Sequence, residues 1–154
     1  MPAHIKILKA ERRSRRMSVP ESKRGHGKFE VLTKANELAV YTIRITKNQK
    51  VFKPEYRSAV TDDIVHTAND IYIKCWSANN IRVGEDAEKW KERKHLQESA
   101  IQDCNNLLAL MDLAQKVFHL ETRRIKYWGG KTVEVREYVR KWKEGDSKRY
   151  AKMK

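Results

Sequence analysis

Apolar residues recur at intervals of three and four along most of the chain, beginning near Phe29. Leu32, Ala35, Leu38, Ala39, Thr42 and Ile43 mark one face of a first helix running to about Lys47. Asn48 to Pro54 reads as a turn, and Pro54 followed by acidic Glu55 suits the opening of a second helix. Its inner stripe is Ala59, Val60, Ile64, Thr67, Ala68, Ile71, Cys75 and Ala78, and it ends near Asn80, before Gly84. A third helix opens around Glu85-Asp86, whose carboxylates suit the positive end of the helix dipole. Lys89 to Lys94 is charged nearly all round and is expected to be solvated. From Leu96 the stripe continues through Ala100, Ile101, Cys104, Leu107, Leu108, Met111, Ala114, Gln115 and Phe118. Gly129-Gly130 is expected to interrupt, leaving Val133, Val135, Tyr138, Val139 and Trp142 on a shorter fourth helix that ends at Gly145. With no strand signal and short connections, the pattern predicts an all-α, up-down antiparallel four-helix bundle over residues 29–145.

A chain of 154 residues is the size of one domain, and 40% apolar residues suffice for a core. Cys75 and Cys104 both fall in apolar helical contexts and read as free buried thiols. No stretch approaches the roughly twenty uninterrupted apolar residues of a membrane span, and His4 to Ala10 is too short and too charged for a signal-peptide core. The expectation is a protein with no membrane partner in a reducing, cytoplasmic location.

Charge divides the chain into three. Residues 1–28 hold nine Lys/Arg against two Asp/Glu, and residues 123–154 hold twelve against four. The middle holds thirteen against fourteen, so the whole excess of +14 sits at the ends. Residues 1–28, with Arg12, Arg13, Arg15 and Arg16, read as a basic arm that buries too little to order itself, with Ser18 to Pro20 breaking any helix. Residues 146–154 read as a basic tail. Such extremities suit a polyanion, and the prominence of arginine suits phosphate. Nothing resembles a base-reading helix, so positioning contacts to the backbone are expected, with little sequence readout.

Enzymatic constellations find no anchor. Asp62, Asp63 and His66 lie within one turn, a spacing that can ligate a metal, but bundle di-metal sites need a second such motif and two further inward glutamates. No Gly-rich phosphate loop, Gly-x-Ser-x-Gly elbow or Cys-x-x-Cys pair occurs. No catalytic residue, metal or cofactor is therefore assigned. The aromatics offer a different chemistry. Tyr127 and Trp128 lie among Arg123, Arg124, Lys126 and Lys131, while Trp142 and Tyr150 alternate with Arg140, Lys141, Lys143, Lys148 and Arg149. Basic side chains interleaved with flat rings are what single-stranded nucleic acid binding uses. The spacing of Tyr138 and Trp142 from Val135 and Val139 favours packing for those two. Tyr127, Trp128 and Tyr150 are balanced between packing and stacking. Tyr72 and Trp76, one turn apart beside the inner stripe of the second helix, suit a helix–helix or subunit contact.

Several short motifs stand in a particular order over residues 29–150: Leu32-Thr33-Lys34-Ala35-Asn36-Glu37-Leu38, then Asp70-Ile71-Tyr72-Ile73-Lys74-Cys75-Trp76-Ser77-Ala78-Asn79, then Arg93-Lys94-His95-Leu96-Gln97. Val135-Arg136, Trp142-Lys143 and Asp146-Ser147-Lys148-Arg149-Tyr150 close the series. This order resembles the accessory variability determinants of diversity-generating retroelements, four-helix-bundle proteins related in fold to those encoded in intervening sequences of bacterial 23S ribosomal RNA. The resemblance implies a homo-oligomer, a pentamer, that partners the element's reverse transcriptase and binds its template RNA or cDNA without catalysing synthesis. Arg136, Arg140, Lys143, Lys148 and Arg149 match the basic last helix and tail. With Arg12, Arg13, Arg15, Arg16, Arg123, Arg124, Lys126 and Lys141 they form the candidate nucleic-acid-binding set, and Tyr72 and Trp76 the candidate subunit or partner interface. Two features depart from the family's pattern: the longer, more basic arm, and polar Asn105 and Asn106 where apolar residues are common. The rival readings are a ribosome-associated bundle of the intervening-sequence type, a protein–protein adaptor, and a metal-dependent nuclease built on Asp62, Asp63 and His66.

Overall fold

The computed structural model describes residues 19–153, with side chains from residue 30 onward. Four helices form an antiparallel bundle: α1 (Val19–Thr46), α2 (Asp62–Asn80), α3 (Ala87–Phe118) and α4 (Thr122–Arg149). Each packs on its chain neighbours, and α4 returns against α1 to close the ring. No strand occurs among the described residues. Helix α1 begins earlier than the periodicity indicated, with Pro20 in its first turn, where a missing N–H costs no helical hydrogen bond.

The core alternates large and small side chains so that the helices approach closely. Leu38, Ile64, Ile71, Leu107, Met111, Val135 and Val139 interleave with Ala35, Ala68, Ala78, Ala100 and Ala114, and Cys75 and Cys104 are buried free thiols among them. Phe52, from the loop after α1, plugs one end of the bundle. Its ring lies 5.0 Å from Phe118 and 6.3 Å from Trp128. The loop that delivers it is closed by Phe52 N–H donating to Asn48 O at 2.8 Å.

The structure differs from the periodicity at three further places. Pro54 opens a 3-10 turn (Pro54–Tyr56) and a wide turn (Arg57–Thr61), and the α-helix proper starts at Asp62. Ala59 is consequently exposed instead of lining the core. Helix α3 starts as expected, with Asp86 Oδ1 accepting from the Glu88 and Lys89 amides. Its first turns are not solvated all round, since Trp90 and Arg93 are buried. The third difference concerns the break before the last helix. It falls at His119, whose backbone is left-handed (φ 57°), and not at Gly129-Gly130. Leu120 N–H donates to Gln115 O at 3.2 Å and the Leu120 side chain is buried, so a non-glycine residue is held in a conformation glycine usually takes. Gly129, Gly130 and Gly145 all lie inside α4, which runs unbroken to Arg149.

Candidate nucleic-acid interface

Helix α4 presents one face to the core and the opposite face to solvent. Trp128, Thr132, Val135, Val139, Trp142 and Asp146 are its buried residues. Trp128, balanced between packing and stacking on sequence grounds, is wholly buried, and its indole N–H donates to Thr42 Oγ1 at 3.0 Å. Thr42 in turn donates to Leu38 O at 2.8 Å. Trp142 is buried too, under the Arg93 guanidinium 5.2 Å from its ring, and Tyr150 lies 5.1 Å from Trp90. These rings are committed to packing.

The basic residues separate into those bound up in the fold and those that are not. Arg136 is half-buried, donating from Nη1 to Asn105 Oδ1 at 2.8 Å, so the polar Asn105 serves as its partner across the α3–α4 seam. Asn106 faces solvent and accepts from Gln102 at 3.0 Å. Lys143 reaches Glu98 of α3 at 3.2 Å. Arg140 pairs with Glu137 at 2.8 Å and Lys148 with Glu144 at 3.5 Å, both on the exposed surface where such pairs hold weakly. Arg123, Arg124, Lys126, Lys141 and Arg149 form no ion pair with any described residue. They occupy both ends of α4. From Lys126 to Lys148 the helix rises about 33 Å. Arg12, Arg13, Arg15 and Arg16 lie outside the described residues.

The cations at the start of α4 oppose the helix's own dipole. Its first turn has no acidic residue and Glu121 makes no side-chain cap bond, while Arg123 and Arg124 sit beside the unsatisfied N–H groups. Like signs there disfavour the helix by a few tenths of a kcal/mol to about 1 each. An anion in the neighbourhood relieves that. At the other end Lys148 and Arg149 complement the dipole.

Between α1 and α4 the rings of Tyr41 and Tyr127 meet edge to face, 5.1 Å apart at 67°. Lys131 Nζ stands 5.2 Å from the Tyr127 ring and 5.7 Å from Tyr41. Burial pushes the Tyr41 phenol up, opposed by the nearby Arg124 charge, and burial also pushes Tyr127 up. Lys131 is drawn down by burial, with Glu134 opposing.

On α2, Ile73 and Trp76 are 54% and 51% exposed, and Tyr72 packs beside Trp76 at 6.2 Å. Two large apolar residues left that open one turn apart form an uncovered face. Asp62, Asp63 and His66 are exposed, and no group of three or more His, Cys, Asp or Glu is disposed to hold a metal among the described residues. No helix there is long and apolar enough to cross a membrane. No family model, characterised protein or solved structure matches the chain.

Proposed function

We propose that this chain is a non-catalytic, nucleic-acid-binding accessory protein that partners a reverse transcriptase of the diversity-generating kind and holds its template RNA or cDNA. The reading is carried by one observation: cations at both ends of α4 that the fold does not use. Arg123, Arg124 and Lys126 at one end and Lys141 and Arg149 at the other can grip phosphates along the length of the helix, joined by Arg140 and Lys148 where a phosphate displaces their weak surface pairs with Glu137 and Glu144.

Lys34 pairs with Glu134 at 3.3 Å, and Thr42 meets Trp128, so α1 runs backward along α4. The start of α1 therefore lies toward the end of α4 that carries Lys148 and Arg149.

The exposed Ile73 and Trp76 face is the proposed contact to a further copy or to the polymerase, and a pentamer is what the sequence resemblance implies. Several copies would multiply weak phosphate contacts by avidity. The test is fluorescence anisotropy with labelled single-stranded RNA, against polyglutamate as a competitor, and copurification with the cognate reverse transcriptase. RNA binding that polyglutamate does not displace, together with copurification, is the expected result. Displacement by polyglutamate as readily as by RNA would instead make the chain an adaptor for acidic proteins.

A further inference from the structure

The groove between α1 and α4 opens, near the start of α4, into a cavity of about 500 Å³ lined by Tyr41, Ile45, Glu121, Arg123, Arg124 and Tyr127. Two phenol rings and an isoleucine give it apolar walls, and two guanidiniums stand beside them. Because the rings meet edge to face, they form a corner and not a flat sheet. Lys131 lies over both rings but does not line the cavity, so the corner is held in place by a cation that leaves the opening clear.

We propose that this cavity is a nucleobase subsite: one unstacked base of a single-stranded nucleic acid packs against Tyr41 and Tyr127 while Arg123 and Arg124 hold the adjoining phosphates. The inference rests on the nucleic-acid reading above and narrows it to a ligand and a place. Aromatic corners flanked by arginine suit a nucleotide because a base has a flat apolar face and its phosphate lies a few ångströms away. A duplex cannot use the site, since its bases are already stacked and paired. Ring contacts accept any base, which fits a protein without a base-reading helix. Glu121 can only accept hydrogen bonds while ionised, so on its side the cavity suits a base amino group and repels a phosphate.

The experiment compares a short single-stranded oligonucleotide with an abasic strand of equal length, in the full chain, across a range of salt. Wild type is expected to bind the base-bearing strand roughly tenfold more tightly. Tyr41→Ala with Tyr127→Ala should remove that preference and leave the salt dependence unchanged, whereas Tyr127→Phe, which keeps the ring, should retain it. A strand carrying 5-iodouracil should photo-cross-link to Tyr41 or Tyr127 in wild type, a readout that needs no variant to fold. Equal binding of both strands with steep salt dependence would overturn the subsite and leave phosphate binding intact. A preference that survives loss of both tyrosines, or cross-links only elsewhere, would also overturn it. Failure to bind either strand would overturn both readings.

Discussion

Arg93 Nε donates to Asp146 Oδ2 at 2.9 Å, joining residues 53 apart in sequence, with both side chains about 3% exposed. Gln97 Nε2 donates to the same oxygen at 2.9 Å, and Arg93 Nη1 reaches Ile81 O at 3.1 Å. One buried guanidinium therefore ties the end of α4 to the start of α3 and to the loop after α2. Lys148 and Arg149 project from the turn that this pair anchors. The cationic end of the bundle has a rigid base.

Removing either partner strands the other charge in a buried site. Asp146→Ala or Arg93→Ala is expected to cost about 3–5 kcal/mol of stability, measured by urea unfolding. A double replacement by apolar residues should cost less than the two single effects added together, because no unpaired charge remains. Additive effects would mean that the pair is not coupled.

Glycine inside α4 offers a second test. A Cβ at Gly130 or Gly145 would meet nothing within 4 Å, and both positions are exposed and helical. Gly130→Ala and Gly145→Ala should each raise stability by about 0.5–1 kcal/mol, since alanine gives up less backbone freedom in a helix. A fall in stability at Gly130 would indicate a hinge that the continuous helix does not have.

Burial pushes both thiols, Cys75 and Cys104, up from 9.0 to about 12. Each thiol is the nucleophile only as thiolate, so neither should react with an alkylating reagent at neutral pH until the protein is unfolded. The linkage has a definite sign. A thiol whose folded value is raised binds its proton more tightly in the native state than in the unfolded chain. That contribution is complete below pH 9 and is lost as pH climbs from about 9 to about 12. Unfolding titrations in the Cys75→Ala and Cys104→Ala variants should show a shallower alkaline decline than wild type.

The four-helix architecture was legible because three- and four-residue periodicity survives nearly everywhere the helices bury a face. What was hidden involved partners distant in sequence. Arg93 lies in a run so charged that it reads as solvated, and only Asp146, 53 residues on, gives it a reason to be inside. Trp128 sits between basic residues and reads as available for stacking, yet its N–H finds Thr42 across 86 residues. Gly129-Gly130 reads as a break because glycine often ends helices. Here buried Trp128 and Thr132 pin the backbone on either side, and the turn is made by His119 instead. The basic residues themselves were plain in the sequence. Which of them the fold uses was not: Arg136 is held by Asn105 and Lys143 by Glu98, while Arg123, Lys126, Lys141 and Arg149 are left to solvent.

Those four cations make the central claim measurable. The affinity for single-stranded RNA should be followed against salt concentration for wild type and for the variant carrying Arg123→Ala, Lys126→Ala, Lys141→Ala and Arg149→Ala. Each phosphate that the variant no longer neutralises should flatten the slope of log affinity against log salt by roughly 0.7, approaching about 3 for all four, with helicity unchanged. A slope identical to wild type would contradict the account, because it would mean that the exposed cations of α4 touch no phosphate.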